Sequence, residues 1–220
     1  MEIKTNRNQT GITLIELMVA LVIFTIGSAA CYRLFVTQSR AYTVQDQVVE
    51  VQQNIRSAME IMLKDVRMAG YDNDSPTSKI NIPNPLIPGD HFIRLNYEHD
   101  DTTQYSVDYW REEATQRLFR QLTVTKDDGS NVVGPQCVLL ENVNLLNFTY
   151  GVDQEDTAGK HDGLVDYWEK DSTKIGNRLV VAVQVQLTGG PDTINPDVQK
   201  LVSPRTLESI VTLRNQCYKQ

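Results

Sequence analysis

From Ile12 to Tyr32 the chain carries a single charged side chain, Glu16, in an otherwise apolar run. A helix over that run spans about 31 Å at ~1.5 Å per residue, the thickness of a bilayer core. The polar stretch before it, Met1–Thr10, has Lys4 and Arg7 as its cations. Cations on that flank stay on the cytoplasmic side of an inserted helix, so everything after Val36 is expected to face outward. An ordinary secretory signal places its small-residue cleavage site after the apolar core. Here the nearest small flexible residue, Gly11, comes before it. Cleavage at Gly11 removes only the basic leader and keeps the apolar helix.

These residues carry a family resemblance. Gly11-Ile12-Thr13-Leu14-Ile15-Glu16-Leu17-Met18-Val19-Ala20-Leu21 resembles the class III signal of type IV prepilins and type II secretion pseudopilins. The family most often has Phe after the glycine, where this chain has Ile12. The resemblance implies that a dedicated inner-membrane peptidase cuts between Gly11 and Ile12 and methylates the new amino group of Ile12. It implies that Glu16 meets the amine of a neighbouring subunit during assembly. A carboxylate in lipid is costly, from about 2.5 kcal/mol upward, and usually marks function.

The helical pattern continues past the apolar run. Val44, Val48, Val51, Ile55, Met59, Met62, Val66 and Ala69 follow one another at intervals of three and four, which keeps them on one helical face. Charged and amide side chains such as Glu50, Gln52, Arg56, Glu60 and Lys64 fill the positions between. No proline intervenes before Pro76, and Gly70 supplies a stop signal. One helix is therefore expected from about Ile12 to Ala69, with a weak point at Gly27-Ser28, since glycine in a helix costs ~1 kcal/mol. Its first half is read as spanning lipid and its second half as packing on a folded domain.

Asp72–Asp90 is rich in Pro, Asn, Ser and Asp and reads as a connecting loop. Strand patterns follow at Phe92–Glu98, Gln104–Arg111, Arg117–Val124, Val138–Leu140, Val143–Val152, Arg178–Thr188 and Leu207–Arg214, with a turn at Lys126-Asp127-Asp128-Gly129. In the sixth, Val181, Val183, Val185 and Leu187 alternate with Ala182, Gln184 and Gln186. One long helix followed by consecutive strands predicts an α+β fold with an antiparallel sheet packed on the helix stripe. The pilin resemblance implies the same architecture. The expected divisions are a cleaved leader over 1–11, a transmembrane and assembly helix over 12–36, the periplasmic half of the helix over 37–70, and a β-rich domain over 71–220.

The helix terminus narrows the resemblance. Asp65-Val66-Arg67-Met68-Ala69-Gly70-Tyr71 is similar to the Asp-x-Arg-x-Ala-Gly-Tyr terminus of PilW-type minor pilins and of their GspJ-type pseudopilin relatives. The closing stretch ending Leu213-Arg214-Asn215 is similar to theirs as well. What this implies is a structural minor pilin, processed and then built into a type IV pilus tip complex that primes assembly. A type II secretion pseudopilin of the GspJ type is the first alternative, and an adhesin module displayed on the fibre the second. The implied partners are major and minor pilins met through the N-terminal helix, the prepilin peptidase and methyltransferase, the inner-membrane assembly platform, and membrane lipid before assembly. The implied location is the inner membrane, single-pass with a periplasmic domain, and later the fibre at the cell surface.

The net charge of −7 argues against nucleic acid as a partner, because phosphate binding needs clustered Lys and Arg. Among the three cysteines, Cys31 lies in the apolar run. Cys137 and Cys217 lie downstream, and export of that part would let them form one bridge. No enzyme constellation stands out: His91, His99 and His161 have no metal-ligand spacing, and no P-loop, G-x-S-x-G or C-x-x-C occurs. The chain is read as a non-enzyme without a required cofactor. One segment admits a second reading. Asp153–Asp171 is crowded with acids, and Asp153, Glu155, Asp156, Asp162 and Asp166 could offer oxygens to Ca²⁺ with Gly163 at the turn. The EF-hand spacing is not met, and a solvated acidic loop is the simpler account.

Overall fold

The computed structural model describes residues 11–72, 77–155, 160–176, 178–191 and 200–217, without the Cys217 side chain. Helix α1 runs from Leu14 to Met68. Ten strands follow among the described residues: β1 (Leu86–Pro88), β2 (Phe92–Asp100), β3 (Thr103–Glu112), β4 (Arg117–Lys126), β5 (Asn131–Val133), β6 (Cys137–Leu140), β7 (Val143–Asp153), β8 (Tyr167–Glu169), β9 (Leu179–Gly189) and β10 (Arg205–Thr212). A 3-10 turn at Ser172–Lys174 precedes β9, and a four-residue helix, α2 (Arg214–Cys217), follows β10. The expected α+β architecture is present, and each of the seven expected strands appears within about two residues of its predicted ends. The chain divides into two compact units, Met1–Gln45 and Asp46–Gln220.

In the first unit the helix starts at Leu14, two residues later than expected. Thr13 lies outside it and acts as its cap: Glu16 N donates to Thr13 Oγ1 at 3.4 Å and Leu17 N to Thr13 O at 3.2 Å. The helix continues without a break through Gly27-Ser28. Its apolar side chains are bare, from Leu14 at 77% exposure to Phe24 at 73% and Phe35 at 72%.

In the second unit the expected stripe packs from Val51 onward, whereas Val44 and Val48 are half-buried and outside the core. Val51, Ile55, Ala58, Met59, Met62, Leu63, Val66 and Ala69 are buried in one core with residues of both sheets. Periodicity alone missed Ala58 and Leu63, which widen the stripe as a core-facing helix requires. All strand pairings are antiparallel, but they form two sheets rather than the single sheet expected. The first has the order β1-β2-β3-β4, with β5 and β6 end to end along the outer edge of β4. The second has the order β10-β9-β7-β8. The change of sheet occurs at Glu141-Asn142 between β6 and β7. Asn142 takes a left-handed φ of 54°, a conformation that asparagine tolerates better than most residues. Val143 N then donates to Gln116 O at 2.7 Å, tying the new strand to the first sheet.

Inward positions follow the two-residue period of a strand. Ile93, Leu95, Val107, Tyr109 and Leu118 from the first sheet meet Phe148, Tyr150, Val183, Val185 and Leu187 from the second. The predicted alternation of β9 holds for Val183, Val185 and Leu187, which lie in the core. At the register shift opposite Gly151 and Val152 the core position passes from Val181 to Val180, while Val181 and Ala182 are buried outside that cluster; a Cβ on Gly151 would lie 2.8 Å from a Val165 side-chain carbon and 3.0 Å from the Ala182 Cβ.

Candidate functional site

The N-terminal site is built from a few residues at a helix start. Gly11 and Ile12 lie exposed just before the cap. Thr13 and Glu16 stand in the spacing of a capping box, with the acid at the third helical position. An acid in the first turn also complements the positive end of the helix dipole. Glu16 lies one turn from Ile12, among the bare side chains of Ile15, Val19, Ala20 and Ile23. It is a carboxylate on a bare apolar wall, without an ion-pair partner within the described part of its own chain.

The two stretches that carried the narrower resemblance meet at the other end of the helix. Gly70 takes φ 73°, which ends α1 and favours glycine. Its N–H donates to Asn96 O at 2.8 Å, and Glu98 N donates to Tyr71 O at 2.8 Å, so the chain leaves the helix along β2. Asn215, just after β10, donates from Nδ2 to Arg67 O at 3.4 Å and Ala69 O at 3.3 Å, covering carbonyls that the helix leaves free. Gln216 packs so closely that a Cβ on Gly70 would collide with its Nε2.

One turn earlier, Asp65 is buried at 6% exposure and holds the helix to the first sheet. Tyr109 Oη donates to Asp65 Oδ2 at 2.5 Å, and Arg120 donates to the same oxygen from Nε at 3.0 Å and lies 2.9 Å away through Nη2. Burial, with the Asp65 charge beside it, pushes the Tyr109 hydroxyl well above the usual tyrosine range. Burial opposes the charged form of Arg120, but its bonds to Asp65 outweigh that and hold its pKa above normal. Burial also pushes Tyr97 up to about 12. Sequence reading singled out Asp65 only as a motif letter. Its partners lie 44 and 55 residues away on β3 and β4, so no local signal names them.

The acidic segment is organised mainly by its own backbone. Asp153 Oδ2 accepts from Gly163 N at 2.7 Å, Asp166 Oδ2 from Gln154 N at 2.7 Å, and Asp162 Oδ1 from Leu164 N at 2.8 Å. Asp156 lies outside the described residues. Among the described residues, no three His, Cys, Asp or Glu side chains converge as a metal cage. Asp153, Glu155 and His161 do share a cleft of about 550 Å³ with Lys174 and Arg178. Cys137 opens β6 as an exposed free thiol. The side chain of Cys217 lies outside the described residues, so the expected pairing of the two rests on the sequence argument alone.

Comparison with known families adds one finding. Residues 6–32 match the family described as the prokaryotic N-terminal methylation motif. No curated protein matches the chain. The matched residues cover the leader, Gly11, Ile12, Glu16 and the bare apolar helix, and helix α1 is long and apolar enough there to cross a membrane. The motif implies processing by a prepilin peptidase, association with other pilins, and a structural rather than enzymatic role. The match shows a prepilin-type methylation motif, borne on a long apolar helix that leads into an α+β domain.

Proposed function

We propose that the protein is a minor pilin that helps to initiate or cap a type IV pilus as part of a tip complex. In this reading the chain is cut after Gly11, methylated on Ile12, held in the inner membrane with its β-rich domain in the periplasm, and drawn into the fibre through α1. The carrying observation is Glu16 on a bare apolar helix, one turn from the amine that cleavage creates. That amine gives the carboxylate a partner of opposite sign. In a packed bundle a misplaced neighbour would leave Glu16 unpaired in a low-dielectric core, so the pair would set axial register. The resemblance of Asp65–Tyr71 and of Leu213-Arg214-Asn215 to PilW-type pilins supports the minor-pilin assignment. GspJ-type pseudopilins share those features, and the choice between the two machines rests on which assembly genes neighbour this one.

Mass spectrometry of the protein from cells with an active prepilin peptidase tests processing. The expected N-terminus is methylated Ile12, and an intact Met1 in functional protein would refute the reading. In the same cells Glu16→Val is expected to insert into the membrane at wild-type level yet be lost from sheared fibres. Fibres carrying the variant at wild-type abundance would remove Glu16 from the assembly step, and a deletion that leaves fibres unchanged in number would argue against priming.

A further inference from the structure

We propose that Thr13 is a positioning residue for leader cleavage, holding the Gly11–Ile12 bond outside helix α1 so that a peptidase can bind it as extended chain. The inference rests on the reading that the chain is cut after Gly11. Helix α1 begins at Leu14, and Gly11, Ile12 and Thr13 are non-helical and exposed. The helical ladder stops at Thr13, where Leu17 N donates to Thr13 O at 3.2 Å. The next rung upstream would run from Glu16 N to Ile12 O. Glu16 N donates instead to Thr13 Oγ1 at 3.4 Å. The hydroxyl thus takes the donor through which α1 would draw in Ile12. The rung after that would run from Ile15 N to Gly11 O, the carbonyl of the bond to be cut. Among the described residues neither Gly11 O nor Ile12 O accepts a backbone hydrogen bond.

The carbonyl oxygen of a bond under attack has to be free for the enzyme's own donors. In a longer α1 that oxygen would belong to the helix. Threonine suits the boundary, because its hydroxyl satisfies a free N–H while its branched β-carbon lowers its helix propensity. Gly11 opposes extension as well, glycine being a poor helix former. Upstream, Thr10 is another residue of the capping type. Loss of the Thr13 cap therefore lets the helix start move to Thr10, with Gly11 and Ile12 in its first turn. A substrate that is in the binding-competent form for only part of the time binds more weakly by that fraction. The effect of the cap thus falls on KM and leaves kcat unchanged.

The test is cleavage of the full-length chain in detergent by a prepilin peptidase. Thr13→Val keeps the shape of threonine without its acceptor, and Thr13→Asn keeps a capping acceptor in a different shape. Thr13→Val and Thr13→Ala are expected to raise KM about 5-fold, within the roughly 2- to 30-fold range that loss of a cap sets, at unchanged kcat. Thr13→Ser and Thr13→Asn should stay within about 2-fold of the unmutated chain. Unchanged KM in Thr13→Val overturns the proposal. So does a Thr13→Asn chain cleaved as poorly as Thr13→Val, since the peptidase would then be reading the threonine side chain itself. The carbonyl carbon shift of Gly11 in the uncleaved chain is a second readout, expected to move toward helical values in Thr13→Val; an unmoved shift overturns the proposal. An unmutated chain that is not cut at all would overturn the processing reading, and this inference with it.

Discussion

The helix before Gln45 and the helix after it obey different rules. In the first stretch apolar residues surround the axis and are bare, with Ile15 72% exposed and Ile26 66% exposed. In the second, apolar residues keep to one stripe, and Met62 and Val66 are completely buried. A helix hydrophobic all round needs an apolar environment from outside the chain, whereas a striped one finds it within the chain. The placement of the carboxylates follows from this. Asp65 is satisfied by Tyr109 and Arg120 of its own domain. Glu16 has no ion-pair partner among the described residues, and in the proposed function its partner comes from cleavage or from another subunit.

The comparison can be broken by substitution. Asp65→Ala leaves the Arg120 guanidinium beside an uncompensated site and is expected to lower unfolding free energy by about 3–5 kcal/mol. Urea titration of the full chain in detergent measures this through tryptophan fluorescence, because both tryptophans, Trp110 and Trp168, lie in the second unit. Gly70→Ala forces a left-handed conformation on a residue with a side chain and displaces Gln216, for an expected loss of about 1–2 kcal/mol in the same titration. Phe24→Ala removes a large apolar side chain from the bare stretch and is expected to change the unfolding free energy by less than ~0.5 kcal/mol. A loss from Phe24→Ala comparable with that from Asp65→Ala would show that the two stretches are not energetically separate.

Long periodic elements were legible from residue order, and short or non-local ones were not. The stripe from Val51 to Ala69 and the alternation of β9 repeat often enough to exceed noise. Strands β1, β5 and β8 are three residues each, too short to show a period. Two sheets were read as one because the switch between them depends on a single backbone conformation at Asn142. At the N-terminal site, Gly11, Ile12 and Glu16 could be named from order alone because they lie within two helical turns of one another. The Asp153–His161 contact could not, since the two lie eight positions apart and no spacing rule joins them. The acids nearby suggested an all-oxygen site, and only their placement shows that Asp162 and Asp166 each bond the segment's own backbone through one oxygen.

The bonds from Asn215 to Arg67 O and Ala69 O bridge 148 and 146 positions of chain. Long-range closures of this kind slow folding, because loop entropy is lost before the contact forms. During synthesis the helix end stays uncapped until Asn215 has left the ribosome. Until then the apolar stripe of Val51, Ile55, Met59 and Met62 lacks β9 and β10 to cover it, while the first half of the same helix is already able to enter a membrane. The chain therefore has to hold a half-covered helix until β9, β10 and Asn215 have been made, which makes that interval the time when it most needs protection from aggregation.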